Sequence, residues 1–253
     1  MRNTKFITSP KSVGSEKRSE NVTFILLAEN HGYRMKSYGP ISLVRLGEKT
    51  LLERQIEAIT SVFINCEIIV CSGFETAKLY NFIRGYISDS NCSIRVVENQ
   101  VYYHSNCCES LRLCMSNTMN DKIVICGGGV LLSPEYLKSL DLRKSSIVTQ
   151  ESNPESQFEL GVIENGNKLE NLTLAIKDPV WTDLIYINGK ILFNSLYNLL
   201  CKPELKNKFL FEAINSWTGK KSLNVVKNQS TPIVKISNIK TYKRINEDEN
   251  FVP

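Results

Sequence analysis

The residues best suited to chemistry follow the first apolar run of the chain. The run 22–28 is apolar apart from Thr23, and Glu29-Asn30-His31-Gly32-Tyr33-Arg34 comes directly after it. A glycine lets backbone amides approach a phosphate closely, and an arginine guanidinium matches the geometry of phosphate oxygens. Gly32 and Arg34 have these two properties, although an arginine at a loop end is also a common solvated surface residue.

A second group of polar side chains lies near residues 104–110. Asn106 and Ser110 carry side chains that can both donate and accept hydrogen bonds. Ser110 would serve equally well as a cap at a helix start. The two histidines, His31 and His104, have no matching cysteine or acidic spacing, so they are interpreted as loop residues and not as a metal site.

Strand-sized apolar runs alternate with helix-length amphipathic segments over about the first 150 residues. The alternation predicts an α/β fold of Rossmann-like type, with a mostly parallel sheet and helices on both faces. Strands are predicted at 22–28, 67–71, 93–97 and 122–126, and helices at 51–59, 76–86, 108–115 and 135–140. Ligands of such sheets bind outside the carboxyl ends of the strands, so the loops 28–34, 98–106 and 127–130 are expected to form one cleft.

The pattern changes after residue 145 to shorter alternating runs. The sequence Glu164-Asn165-Gly166-Asn167 is typical of a tight turn, and it predicts a C-terminal hairpin extension within 145–177. Further helices are predicted at 194–200 and 205–217, and further strands at 223–226 and 233–236. A polar tail is expected at 246–253.

Length and charge limit the class of protein. A chain of 253 residues can bury about three quarters of its unfolded surface, so one domain is expected, at 21–245. Residues 1–20 are basic and lack the apolar stretch of a secretory signal, which indicates a flexible arm. The net charge of +5 is small and scattered, which argues against a nucleic-acid partner. No membrane span is expected, because the apolar runs fall far short of ~20 residues.

The eight cysteines indicate a reducing compartment. They include no CxxC pair, and several fall in predicted strands and helices, where a free cysteine acts as a small hydrophobic residue. A cytoplasmic location is therefore expected.

Three segments carry a more specific pattern. The first runs from Leu27 to Met35 and continues through 40–43 and 47–56, the second is 99–111, and the third is 128–134. Together they resemble the nucleotidyltransferase superfamily, nearest its CTP:phosphocholine cytidylyltransferase-like branch. The family segments read Leu-Ala-Ala-Gly-x-Gly-Ser-Arg, Asn-x-x-Tyr-x-x-x-Asn-x-x-x-Ser-Leu and Gly-Asp-Val-x-Phe. The resemblance covers residues 22–140 well and the remainder loosely.

The resemblance implies a nucleotide-binding cleft and assigns residues to it. In the family, the turn after the first strand binds the triphosphate, and polar residues of the second segment lie near the base. The substrate-binding residues implied here are Ala28, Gly32 and Arg34 in the turn, Asn106 and Ser110 near the base, and Glu212 near the acceptor pocket.

The sequence departs from the family at the groups that carry chemistry. Ile41 stands at the family's lysine, Gly129 at the aspartate that binds the divalent ion, and Ser237 at a second metal aspartate. Phosphoryl transfer depends on such cations for most of its stabilisation, and the loss of one costs ~3 kcal/mol, about a hundredfold in rate. No catalytic residue and no metal ligand are therefore assigned.

These departures predict a nucleotidyltransferase-like pseudoenzyme. It would act through a retained nucleotide-sized cleft that binds CTP or another nucleoside triphosphate, or as a scaffold for a protein partner or a second copy of itself. This interpretation requires no cofactor.

The alternative is an active, magnesium-dependent transferase. It would join CTP or another nucleoside triphosphate to a phosphorylated acceptor, such as phosphocholine or a sugar phosphate, and release pyrophosphate. Relocated acids would hold the metal, although each is otherwise an ordinary solvated charge. The candidates are Glu98, Glu109, Asp178, Asp183 and Glu212. A third interpretation, a glycosyltransferase with a related sheet, requires an acidic metal motif that the sequence lacks.

Overall fold

Helices and strands alternate as far as residue 139, and strands then predominate. The computed structural model describes residues 17–86, 92–152, 159–229 and 232–247. The strands are β1 (Arg18–Ser19), β2 (Thr23–Leu27), β3 (Arg45–Leu46), β4 (Lys49–Thr50), β5 (Phe63–Ile64), β6 (Glu67–Ser72), β7 (Ser93–Glu98), β8 (Lys122–Gly127), β9 (Val130–Leu131), β10 (Ser146–Gln150), β11 (Gly161–Asn165), β12 (Lys168–Thr173), β13 (Val180–Asn188), β14 (Asn224–Lys227) and β15 (Val234–Lys235). The helices are α1 (Leu51–Val62), α2 (Thr76–Tyr86), α3 (Cys107–Asn117), α4 (Pro134–Ser139), α5 (Lys190–Leu200), α6 (Leu210–Thr218) and α7 (Ile239–Glu247).

A nine-stranded sheet organises the molecule, in the order β10-β14-β12-β11-β13-β8-β2-β6-β7. Four of these strands, β8, β2, β6 and β7, run parallel to one another. β13 joins β8 antiparallel, and β11 pairs antiparallel with both β12 and β13. The α/β class predicted from the sequence is confirmed, but the sheet is mixed and not mostly parallel. Parallel pairing needs a crossover of a dozen or more residues, and the connections from β10 to β13 are shorter than that.

The parallel strands β2, β6 and β8 are buried on both faces. In β2, Phe24 and Leu26 pack into one apolar cluster, whereas Ile25 and Leu27 pack into another. Helices α1, α2 and α4 contribute to the first cluster, and α3, α5 and α6 to the second. The alternation of β2 residues between two covered faces explains why the strand reads as a continuous apolar run.

The helix starts follow the sequence signals. At α1, the Thr50 side chain accepts a hydrogen bond from the Glu53 amide at 3.2 Å, and the Glu53 carboxylate accepts from the Thr50 amide. At α4, Ser133 accepts from the Tyr136 amide at 3.1 Å, and Pro134 occupies the first helical position. These caps satisfy backbone donors that a helix start leaves without intrahelical partners.

Several element boundaries differ from the prediction. Residues 1–16 of the predicted arm lie outside the described residues. The end of the arm is ordered against the domain: Arg18 and Ser19 pair with β5, and the Arg18 guanidinium donates to the Leu140 carbonyl at 2.8 Å. α6 begins at Leu210, later than predicted, because Pro203–Leu205 forms a separate 3-10 turn. α7 extends to Glu247 within the predicted tail, and the rest of that tail lies outside the described residues.

One pair of cysteines is joined in the structure. Cys66 and Cys92 form a disulfide with a Cα–Cα distance of 4.9 Å, which links the residue before β6 to the residue before β7. No spacing rule predicted this pair, and the expectation of reduced cysteines does not hold at these two positions. None of the described helices is both long enough and apolar enough to cross a membrane.

Candidate functional site

A cavity of about 610 Å³ opens at the carboxyl ends of β2 and β8. The loops after these strands, the starts of α3 and α6, and the C-terminal segment around β15 enclose it. The wall consists of Leu27, Ile41, Leu160, Trp181 and Asp183, together with 29–33, 105–107, 127–129, 209–211 and 235–237. The sheet therefore brings loops together at its carboxyl edge, as open α/β sheets do.

The turn to which the resemblance assigns phosphate binding is only partly directed at the cavity. Gly32 lies on the wall, in a left-handed conformation with φ of 76° that suits glycine. Ala28 is buried in the core and lies off the wall. Arg34 is exposed and also off the wall. Its guanidinium lies over the Tyr33 ring, at 5.0 Å from the ring centre. Of these three residues, Gly32 is the one that the structure places at the cavity.

The two residues assigned to the base have different environments. Asn106 lies on the wall and caps α3, where its Oδ1 accepts from the Cys107 amide at 2.8 Å. Ser110 is fully buried one turn later, and its hydroxyl accepts from Asn99 Nδ2 at 3.0 Å. Ser110 is not a helix cap, because α3 begins before it. It also lies off the cavity wall.

Glu212 lies outside the cavity. Its carboxylate accepts from the Phe209 amide at 2.9 Å and from Lys208 Nζ at 2.8 Å, at the start of α6. The hydrogen bond from Lys208 and, to a smaller extent, that from the Phe209 amide lower the pKa of Glu212. The carboxylate thus stabilises the first turn of the helix, and the residues of α6 that reach the wall are Leu210 and Phe211.

The C-terminal segment lies directly over the glycines that follow β8. β15 pairs with β9, the Ile236 amide donates to the Gly129 carbonyl at 2.7 Å, and the Tyr33 amide donates to the Ser237 carbonyl at 2.9 Å. A Cβ on Gly129 would overlap the Ile236 carbonyl, and a Cβ on Gly128 would overlap the Leu27 carbonyl. Both positions therefore require glycine in this arrangement.

Ile41 fills its position with packed apolar surface. It is 4% exposed and belongs to a cluster with Met35, Val44 and Ile236. The cluster also includes Ile245 of α7, so the C-terminal helix is attached to the loop after β2. No cation enters the cavity from position 41.

Of the acids considered as relocated metal ligands, Asp183 is the one on the wall. It has a left-handed φ of 61°, which is strained for a residue other than glycine. Its carboxylate forms an ion pair with Lys235 Nζ, and both side chains are partly buried. Glu109 pairs instead with Arg112 at 2.7 Å, and Asp178 accepts from the Ser152 amide at 2.8 Å.

Glu29 lies on the wall within the predicted cleft loop 28–34, but no role was predicted for it from the sequence. It is 3% exposed, and burial raises its pKa to about 7, against the lowering effects of its own backbone amide and of the Ser110 hydroxyl. The signal that could have identified it is its place directly after β2, at the carboxyl edge where sheet ligands bind. Trp181, Phe209 and Phe211 also line the cavity and were not predicted, because they come from elements far apart in the sequence.

Comparison with solved structures identifies the fold. A CTP:phosphocholine cytidylyltransferase from Streptococcus pneumoniae matches with a TM-score of 0.72 and 16% identity, over 90% of this chain and 99% of that one. An inositol-1-phosphate CTP transferase from T. maritima matches with a TM-score of 0.70 and 15% identity, over 89% and 96%. The chain has the nucleotidyltransferase fold. A putative glucose-1-phosphate thymidylyltransferase from Bacillus anthracis has the same fold, with a TM-score of 0.66 and 16% identity, over 92% and 98%.

The sequence itself has diverged further than the fold. No protein-family model matches it, and a search of curated proteins finds no match. The nucleotidyltransferase fold is therefore visible in the backbone path and not in overall sequence similarity.

The residues at the family's metal positions do not fit the divalent ion that the resemblance implies. Position 129 has no room for a carboxylate, Ser237 is neutral, and the Asp183 carboxylate is paired with Lys235. Across the described residues, no three acidic, histidine or cysteine side chains come together as a metal site. Magnesium is usually held by one or two carboxylates together with substrate phosphates. In this arrangement the wall therefore offers magnesium no unpaired carboxylate at either family position.

Proposed function

We propose that this protein is a catalytically degenerate nucleotidyltransferase-like protein that binds a nucleotide-sized ligand without transferring it. The observation that carries the proposal is the contact between the C-terminal segment and Gly129. The Ile236 carbonyl occupies the space into which a side chain at position 129 would project. A carboxylate cannot be restored there unless the segment moves.

The cavity itself supports ligand binding. Small-molecule sites typically measure about 300–1,000 Å³ and combine apolar walls with a few polar groups, which is the composition found here. Trp181 offers an apolar surface on one side, and Phe209 and Phe211 stack with ring centres 6.0 Å apart on another. CTP or another nucleoside triphosphate is the proposed ligand class.

Calorimetric titration tests this proposal. CTP, ATP, GTP and UTP are titrated into the protein, with magnesium and separately with a chelator. We expect saturable binding of one nucleotide per chain that persists in the chelator. If none of the four binds under either condition, the cavity is not a nucleotide site. The protein would then act as a scaffold for a protein partner or for a second copy of itself.

The two histidines provide a matched pair of variants for this titration. His31 lies on the wall, where its ring packs against Phe74 at 5.0 Å, whereas His104 is exposed outside the cavity. His31→Ala is expected to weaken nucleotide binding by about 1 kcal/mol, or ~5-fold, and His104→Ala to leave it unchanged. Equal effects of the two substitutions would place the ligand elsewhere.

An active transferase is a second candidate, favoured by one observation. Asp183 retains a strained left-handed conformation that presents its carboxylate to the cavity, and strain of this kind clusters at functional sites. In this case Asp183 would exchange Lys235 for magnesium. Magnesium-dependent pyrophosphate release that Asp183→Asn abolishes would support it.

We also propose a cytoplasmic location, because six of the eight cysteines are free in the structure. Fractionation of cells under non-denaturing conditions would test this location.

A further inference from the structure

The Glu29 carboxyl group is the buried ionisable group of the cavity wall that the proposed function leaves without a role. The side chain is 3% exposed, and its Oε1 accepts from Asn30 Nδ2 at 3.3 Å. Its Oε2 is enclosed and makes no hydrogen bond of ordinary geometry with the residues that the structure describes, although the nearby Ser110 hydroxyl partly offsets the effect of burial on the pKa of Glu29. A buried polar atom without a partner is costly, so a ligand that supplies one gains affinity.

The groups around Glu29 leave it without a compensating cation. Cys71 approaches from β6 and Cys107 from α3, and both thiols remain protonated. Hydrogen bonding with Cys114 and burial raise the pKa of Cys71, while hydrogen bonding with Cys108 and burial raise the pKa of Cys107. Ser110 on α3 is neutral.

Four other titratable side chains lie on the cavity wall. Asp183 and Lys235 are paired with each other, so their charges offset. The other two are His31, two residues further along the same loop as Glu29, and Tyr33, whose side chain is exposed. Burial without a compensating cation favours the protonated carboxyl group, and the pKa of Glu29, raised to about 7, agrees with the geometry.

We propose that Glu29 is a base-binding residue of the cavity, and that its neutral carboxyl group pairs with the hydrogen-bonding edge of a nucleobase. A neutral carboxyl group carries one O–H donor beside an acceptor oxygen. Nucleobases present a donor next to an acceptor, as cytosine does with its N4 amino group and N3. A carboxylate has lost the donor, so the pairing is made only by the protonated form.

The inference rests on the proposed function, because it requires that the cavity binds a nucleotide. It adds a prediction that simple nucleotide binding does not make. Ligand affinity should fall as Glu29 loses its proton, even when the ligand carries no phosphate. Nucleosides are therefore the appropriate probes, since they remove the titration of phosphate and any effect of magnesium.

The experiment measures the dissociation constants of cytidine, uridine, adenosine and guanosine at about pH 6 and about pH 8. For the tightest-binding nucleoside, wild-type affinity is expected to fall about tenfold between these values, because the neutral fraction falls by that factor. Glu29→Gln keeps a donor and an acceptor but cannot titrate, so its affinity should be independent of pH. Glu29→Leu should lose affinity at both pH values, and circular dichroism confirms that each variant is folded.

Two results would overturn the inference alone, and a third would remove the proposed function together with it. Wild-type affinity that is equal at both pH values would contradict it while leaving nucleotide binding intact. A pH dependence that persists in Glu29→Gln and disappears in His31→Ala would assign the titration to His31. Absence of binding by every nucleoside and every nucleotide would instead remove the proposed function, and this inference with it.

Discussion

The Ile236 amide donates a 2.7 Å hydrogen bond to the carbonyl of Gly129, and the Ile236 carbonyl occupies the space beside the Gly129 Cα. These two residues are 107 positions apart in the sequence (236 − 129), and their contact fixes the C-terminal segment against the end of β8. Position 129 is where the resemblance places a metal-binding aspartate. The backbone arrangement at this position therefore leaves no room for an aspartate side chain.

The first prediction concerns the space at Gly129. Gly129→Ala should destabilise the fold by about 1–3 kcal/mol, because a Cβ there forces the C-terminal segment away. Gly85→Ala is the control, since nothing lies within 4 Å of a Cβ at that position. Urea unfolding of both variants measures the difference. A Gly129→Ala variant as stable as Gly85→Ala would show that the segment moves freely.

The second prediction concerns Arg34. Because its guanidinium lies over the Tyr33 ring and outside the cavity, Arg34→Ala should change the affinity for nucleotides by less than about twofold, the scale of an exposed charge. Calorimetric titration with CTP at two salt concentrations measures this affinity. A tenfold loss would mean that the side chain turns inward to contact phosphate.

The third prediction concerns acid stability. The Glu67 carboxylate is buried, yet hydrogen bonds from Thr23 and Thr118 and its contact with Arg95 outweigh the effect of burial and lower its pKa. A carboxylate with a lowered pKa in the folded state stabilises the fold above its unfolded pKa, and this stability is lost as the pH falls.

Glu67→Gln tests the sign of that effect. The substitution should cost about 2 kcal/mol in the free energy of unfolding at neutral pH, and less as the pH falls below about 4.5. The control is Glu57→Gln, since Glu57 forms an exposed ion pair with Lys49, and it should cost less than about 1 kcal/mol. An equal cost of Glu67→Gln at acid and neutral pH would show that charge is not the cause.

The fourth prediction concerns the stability cost of Glu29. Its pKa, raised from 4.5 to about 7, means that the folded state holds the proton more tightly than the unfolded state. Stability should therefore decline as the pH rises from about 4.5 to about 7, by about 3 kcal/mol at most, and then level off. Glu29→Gln removes this decline. Unfolding measurements at about pH 5 and about pH 8 compare the variant with the wild type, and parallel pH profiles would contradict the assignment.

The parallel half of the fold could be predicted from local sequence. The strands β2, β6 and β8 are buried on both faces, so each appears as a short apolar run, and the caps at Thr50 and Ser133 mark two of the neighbouring helices. The α7 helix was missed because it is mostly polar, and Ile245 is its buried residue. Its position depends on contacts with the loop after β2, which no local pattern encodes.

The site was less predictable because its properties come from long-range contacts. The sequence places Glu29 on a loop, where a carboxylate is normally solvated, and the packing of β6 and α3 around it causes its burial. The ion pair between Asp183 and Lys235 joins elements 52 residues apart (235 − 183), and spacing gave no reason to pair them. Arg34 shows the converse, since the family position was matched while the side chain lies outside the cavity.

Pyrophosphate formation tests the central claim most directly. A high concentration of the protein is incubated with each of CTP, ATP, GTP and UTP, magnesium, and a phosphorylated acceptor such as phosphocholine or a sugar 1-phosphate. The absence of a metal-binding carboxylate at position 129 predicts no pyrophosphate above the level of the buffer. Magnesium-dependent release that is proportional to the protein concentration and absent in Asp183→Asn would contradict it.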